Sequence, residues 1–242
     1  SFAWGFAVLA VLAAMALVYR HWLRVETTGV ENVPEGRVLL IANHAGNTFA
    51  WDGAMLGMSL FLEGNPPRIV RGMGEYYLPT IPFFSVFMHR MGSVVGTPSN
   101  CAQLLEHGEA VMVFPEGQRG FVKPWRRRYR LQKFGLGFMR LALESQAPVV
   151  PCAVVGAEEQ APAIFDLKPL ARLLGFPAFP ITPTVLPFPL PSRYHVRFGE
   201  PLRFTGSPDD EDAELERKVA RVQEAVKGRL ERGLAERTSV YL

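Results

Sequence analysis

Cysteine is scarce in this chain: 242 residues hold two, Cys101 and Cys152. They stand far apart and lack metal-ligand spacing, which argues against a disulfide framework and points to a reducing compartment. Charge of one sign is scarce as well. The formal net charge is +3, too small an excess to indicate a nucleic-acid partner, and no RNA- or DNA-binding motif occurs. A mild cationic surplus suits a protein resting on an anionic membrane. No Gly-x-Ser-x-Gly elbow is present, which disfavours a serine hydrolase. Internal repeats are absent, and nothing marks a second globular domain. The length fits one large domain, or one domain plus an anchor.

What the chain does have begins with apolar residues, 48% of the total. Part of that share lies in one run without a formal charge, Phe2 to Tyr19. As a helix this run would reach roughly 27 Å, just short of a hydrocarbon core of about 30 Å. Arg20, His21, Trp22 and Arg24 follow at once, as at an interfacial anchor on the cytoplasmic side. The expectation is a membrane helix, spanning or deeply embedded, over residues 1–24, with a catalytic domain over 25–242. A signal peptide is the first alternative, but no basic leader and no clear cleavage site are seen. A buried core helix is the second.

Beyond it, apolar runs alternate with helical patterns. Val38–Ala42, Ala110–Phe114 and Val149–Val155 are continuous apolar runs, as in strands covered on both faces. Arg68–Val70 and Gly92–Val95 read as short strands. Thr48 is a candidate N-cap for a helix from Phe49 towards Phe61, with Asp52 near its first turn. Thr97-Pro98 opens a helix running to His107, with Gly108 as its stop. Leu136–Ser145 reads as a helix, and Leu215, Val219, Val222, Val226, Leu230 and Leu234 form one helical stripe. Tyr194, Val196 and Phe198 alternate as in a half-buried strand. Six prolines over residues 176–191 suggest a packed irregular segment, and Tyr76–Met88, broken by Pro79 and Pro82, an acyl pocket or a membrane-facing surface. The alternation predicts an α/β fold with a largely parallel sheet. Ligands in such sheets sit at the strands' carboxyl ends, where His44 and Glu116 both fall.

The chemistry concentrates in two stretches. Asn43-His44-Ala45-Gly46-Asn47-Thr48-Phe49-Ala50-Trp51-Asp52-Gly53 supplies a base and a carboxylate. Phe114-Pro115-Glu116-Gly117-Gln118-Arg119-Gly120 supplies an acid and a guanidinium in a glycine-containing loop. Together they offer a base, an orienting acid and an anion clamp, the needs of a hydroxyl-directed transfer onto an anionic substrate. The basic cluster Trp125-Arg126-Arg127-Arg128-Tyr129-Arg130 is either a solvated loop or a contact for lipid headgroups or CoA phosphates. His21, His89, His107 and His195 have no evident partners, and Cys152 falls in a core strand where it would be inert.

The order Asn-His, then Asp, then Phe-Pro-Glu-Gly-x-Arg, then Ala147-Pro148-Val149-Val150-Pro151 with Gly156 resembles the glycerophospholipid acyltransferase family over roughly Val25 to Leu202. Gly156-Ala157-Glu158-Glu159 and Phe198-Gly199-Glu200-Pro201 look like a bacterial branch of it. The resemblance implies a single αβα-type domain preceded by a membrane helix, at the bacterial inner membrane facing the cytoplasm. It implies an O-acyltransferase moving a fatty acyl group from acyl-CoA or acyl-carrier protein to a glycerolipid hydroxyl, such as that of 1-acylglycerol-3-phosphate. No metal or further cofactor is implied; the partners are membrane lipids and the acyl donor. His44 would be the base and Asp52 its orienting acid, with Glu116, Gly117 and Arg119 lining the acceptor site and Arg119 on its phosphate. An acyl-thioester hydrolase and a non-catalytic lipid binder are the alternatives. Two features depart from the pattern. Seven residues separate His44 from Asp52, where the family usually has four, so the loop must bulge for the pair to close. The region Met91–Pro98 also lacks the arginine of the family's second motif.

Overall fold

The structure is a computed structural model that describes residues 2–45, 50–74, 94–95, 97–121, 123, 125–162, 165–166, 180–181 and 189–241. Its centre is strand β2, Val38–Ala42, all five residues buried. The run has no polar face because both faces are covered. Val38, Leu40 and Ala42 join one apolar cluster, and Leu39 and Ile41 join another on the opposite side. Each large side chain so buried contributes roughly 1.5–3 kcal/mol. β5 (Ala110–Val113) and β6 (Val149–Val155) pair with β2 in parallel on either side.

Around this trio a seven-stranded sheet forms, in the order β1-β9-β6-β2-β5-β3-β4. One edge carries β3 (Val70–Gly74) and β4 (Val94–Val95), both parallel to the centre. The other carries β9 (His195–Phe198), antiparallel to β6, and β1 (Glu26–Thr28), parallel to β9. β7 (Phe165–Asp166) and β8 (Pro180–Ile181) pair separately. On the first face lie α1 (Phe2–Leu17) and α2 (Trp51–Leu62). On the second lie α3 (Pro98–Glu106), α5 (Gly137–Ser145) and α7 (Asp212–Glu236). Short helices α4 (Gln118–Phe121) and α6 (Ala157–Gln160) follow β5 and β6. This is a three-layer αβα domain with a mostly parallel sheet. Thr97 caps α3 as expected, its Oγ1 accepting from Asn100 N at 3.1 Å. In α7 Leu215, Val219, Val222, Val226 and Leu230 are buried.

Two expected element limits are corrected, and a spanning helix is not seen among the described residues. Among the described residues no helix is long and apolar enough to cross a membrane. α1 has 16 residues, roughly 24 Å, and passes into a π-helical turn at Val18–Trp22. Leu12, Met15 and Ala16 pack on the domain core, while Leu9 and Leu17 stay exposed. Tyr19 is buried, and its hydroxyl meets Thr27 Oγ1 at 2.7 Å and Ser59 Oγ at 3.3 Å. A run without charge reads alike whether its partner is lipid or a protein face, so composition did not separate the two. α2 begins at Trp51, not Phe49, after Ala50 in the left-handed region (φ 45°, ψ 42°); Thr48 lies outside the described residues. β3 starts at Val70, where pairing with Ala110 begins, rather than at Arg68. Tyr76–Met88 and most of residues 176–191 also lie outside the described residues.

Candidate active site

His44 follows β2, and Glu116 follows the adjacent parallel strand β5, so both stand on the carboxyl rim of the sheet. Asn43 fixes the rim first. Buried at the end of β2, its side chain donates to Val154 O at 3.0 Å and accepts from Val154 N at 2.8 Å. His44 Nδ1 then lies 2.7 Å from Asp52 Oδ2. The long separation in sequence is therefore closed in space, although Gly46–Phe49 lie outside the described residues. Asp52 occupies the first turn of α2. Its oxygens also accept from Ala45 N and Gly53 N, each at 2.8 Å. A carboxylate can only accept, so Nδ1 carries the imidazole proton and Nε2 is the basic nitrogen.

Burial alone would push the His44 imidazole down. The charge and hydrogen bond of Asp52, and then the Glu116 carboxylate, outweigh it and leave His44 above the ordinary histidine value. Asp52 is the mirror case. Burial pushes its carboxyl up, but His44 and the two backbone N–H groups hold it below the usual carboxylate value. The ring of His44 stacks on Phe114, with centroids 4.4 Å apart and planes 22° from parallel.

Glu116 is buried and both of its oxygens are engaged. Oε1 accepts from His44 N at 2.9 Å and Oε2 from Gln132 N at 2.7 Å. Its carboxylate thus ties the β2 end to the loop after β5. Gly117 takes a left-handed φ of 57°, which turns the chain back so that Gly120 N reaches Gly117 O at 2.9 Å. Gly120 then presses against the base. A Cβ there would stand 2.9 Å from both His44 Cβ and Glu116 Cβ, a spacing side chains do not tolerate. Gly120→Ala is expected to displace His44 and cut turnover about tenfold or more, since misplacing a catalytic group by about 1 Å can cost 100-fold. Turnover measured beside thermal melting checks this; wild-type turnover would show that the contact does not matter.

Arg119 is exposed, with Nη2 donating to Lys133 O at 3.3 Å. Arg126, Arg127, Arg128 and Arg130 are exposed too, and Arg128 lies 4.6 Å over the Trp125 ring. Among the described residues none of these five arginines pairs with a carboxylate. Tyr129, in their midst, turns inward. Its N–H donates to Glu158 Oε1 at 3.0 Å, and its hydroxyl donates to Glu159 and accepts from Gly156 N. Arg237 of the C-terminal segment reaches Glu159 Oε1 at 2.8 Å. Lys123, which no motif singled out, is buried between Glu116 and Glu158. Its signal was only a lone lysine in a glycine- and aromatic-containing loop. Cys152 is fully buried with its thiol pushed well up by desolvation.

The chain has relatives in sequence and in fold. The Acyltransferase family model matches residues 24–155, more than half of the chain. An uncharacterized protein of Mycobacterium tuberculosis is 37% identical over 235 residues, covering 92% of this chain and 65% of its own length. The chain thus spans about two thirds of that relative. A mouse protein described as a DGAT1/2-independent enzyme synthesizing storage lipids is 21% identical over 183 residues, 76% of this chain and 54% of its own. In fold, the chain is similar to the crystal structure of the 1-acyl-sn-glycerophosphate (LPA) acyltransferase PlsC from Thermotoga maritima. The TM-score is 0.62 at 20% identity, over 98% of this chain and 83% of that one. The chain belongs to the Acyltransferase family.

Proposed function

We propose that this protein transfers a fatty acyl group from acyl-CoA or acyl-carrier protein to a glycerolipid hydroxyl, with a lysophospholipid such as 1-acylglycerol-3-phosphate as the acceptor. The observation that carries the reading is the 2.7 Å contact between His44 Nδ1 and Asp52 Oδ2. His44 Nε2 takes the acceptor's hydroxyl proton as the oxygen attacks the thioester carbonyl. The new C–O bond forms, the C–S bond breaks, and the proton passes to the leaving thiolate. Asp52 holds the tautomer and stabilises the imidazolium between these steps. Arg119, on the exposed rim, offers a planar fork to the acceptor's phosphate. The exposed side of α1, with Leu9 and Leu17, and Trp22 beyond it, supports association with one leaflet. The exposed arginines of the rim would add attraction to anionic lipid. The location proposed is the cytoplasmic face of a bacterial inner membrane.

A second acceptor, a phosphate-free acylglycerol, is favoured by the absence of an arginine from Met91–Pro98. The mouse relative, an enzyme synthesizing storage lipids, points the same way. A panel with labelled acyl-CoA and lysolipids with and without phosphate separates the two. The lysophospholipid reading expects preference for the phosphate-bearing acceptor, and Arg119→Met raising its KM about tenfold or more, as for a lost charge-assisted contact of roughly 1.5–3 kcal/mol. Preference for the phosphate-free acceptor, indifferent to Arg119, would overturn it. Thiol release without any acceptor would favour hydrolysis instead.

A further inference from the structure

Behind the base lies an ion cluster that the transfer steps do not use. Lys123 is 6% exposed. Its ammonium stands 3.1 Å from Glu158 Oε1 and 3.5 Å from Glu116 Oε2. The cation therefore sits within ion-pair reach of both carboxylates. A buried ammonium costs several kcal/mol unless matched, and two buried carboxylates match it. Each carboxylate also holds backbone: Glu116 takes His44 N and Gln132 N, and Glu158 takes Tyr129 N. Glu116 follows β5 and Glu158 follows β6, the two neighbours of β2. The ammonium therefore bridges the two loops that flank the strand carrying His44.

We propose that Lys123 is a positioning residue for the acyl transfer: its buried ammonium ties Glu116 to Glu158 beside β2, fixes the backbone of His44 through Glu116, and opposes the field of the carboxylates on the base. The proposal rests on the reading of His44 as that base. Among the described residues, the charged groups that act on the imidazole include Asp52 from α2, Glu116 from the loop after β5, and Lys123. The two carboxylates raise its affinity for a proton and Lys123 lowers it. Glu158 faces Lys123, whose charge opposes but does not cancel the upward push of burial, so the Glu158 carboxyl stays above its ordinary value. Without Lys123 the carboxylate field on His44 is less opposed, and the imidazole charges at a higher pH.

The test uses the full chain in detergent with labelled histidine, and follows His44 by NMR titration without substrate, its signal identified by its loss in His44→Gln. Lys123→Met leaves two buried carboxylates unmatched and is at risk of not folding. The double variant Lys123→Met with Glu158→Gln removes one cation and one anion together, and is the deciding variant. The expected result is a His44 midpoint moved to higher pH in the double variant. Its acyl-transfer pH profile should move with the midpoint. On the acidic limb kcat falls about tenfold for each unit of that movement, while KM for acyl-CoA stays as in wild type. Lys123→Arg keeps the positive charge and is expected to keep both near wild type. An unmoved midpoint in the double variant overturns the proposal whatever the activity does. Lys123→Arg behaving like the double variant also overturns it. A midpoint that moves while the transfer profile stays put would instead remove His44 as the base, and with it any role of Lys123 in transfer.

Discussion

Replacing His44 by alanine is expected to lower acyl transfer by about 100- to 10,000-fold, the usual worth of a positioned general base. The fold should survive. His44 lies beyond the end of β2, and Asn43 still pins the rim to Val154 through two hydrogen bonds. The local cost falls on Asp52. Its carboxylate is fully buried and loses its charged partner, but keeps Ala45 N and Gly53 N. Losing this charge-assisted hydrogen bond costs about 1.5–3 kcal/mol, less than a typical domain stability of about 5–15 kcal/mol. His44→Gln retains a donor for Asp52 and should be more stable than His44→Ala while equally inactive. Melting curves and turnover on the same preparations check both points; transfer retained by either variant would remove the base from His44.

Asp52→Asn should cost nearly as much, about 100- to 10,000-fold in kcat, by undoing the tautomer rather than the shape. An amide can donate to Nδ1, which would move the imidazole proton to Nε2, the nitrogen that must accept. The substitution also removes the charge that raises His44. The base works when neutral, so the wild-type acidic limb should lie above the ordinary histidine value, and in Asp52→Asn any residual activity should have its limb at lower pH. Stability runs the other way. His44 is raised on folding, so its contribution is full below its unfolded value and is lost as pH climbs through the folded one. Asp52 is lowered on folding, so its contribution is present above its unfolded value and is lost as pH falls through the folded one. The pair therefore stabilises most between the ordinary carboxylate and histidine values, about pH 4 to 6.5. The melting-temperature difference between wild type and Asp52→Asn should shrink from pH 6 towards pH 9. A difference constant over that range would contradict the coupling.

What the sequence revealed was governed by how local the cause is. Val38–Ala42 and Val149–Val155 have the limits their apolar runs predict, because a strand covered on both faces leaves an unbroken signature. Thr97-Pro98 marks a helix start for equally local reasons. The two motifs bring His44, Asp52 and Glu116 to one rim because parallel neighbours end on the same side. α1 was less legible, since apolarity does not say which face meets protein. The start of α2 depended on Ala50 taking a left-handed turn, which alanine does not advertise. Glu116, expected to line the acceptor site, has both oxygens on backbone N–H groups, a use set by tertiary packing. Lys123 matters only because Glu116 and Glu158, 42 residues apart in sequence, meet around it. A single lysine carries no period and no cap to reveal that.

The seven-residue separation of His44 and Asp52 does not keep the pair apart, and their contact is where the proposed chemistry stands or falls. The most direct measurement is single-turnover transfer of a labelled acyl chain from acyl-CoA to the best acceptor of the panel, with thiol release followed in parallel, for wild type and His44→Ala at pH 8. The expected result is thiol release that depends on acceptor and matches acylated lipid one for one in wild type, with both lost in the variant. Acylated lipid formed at the wild-type rate by His44→Ala would contradict it.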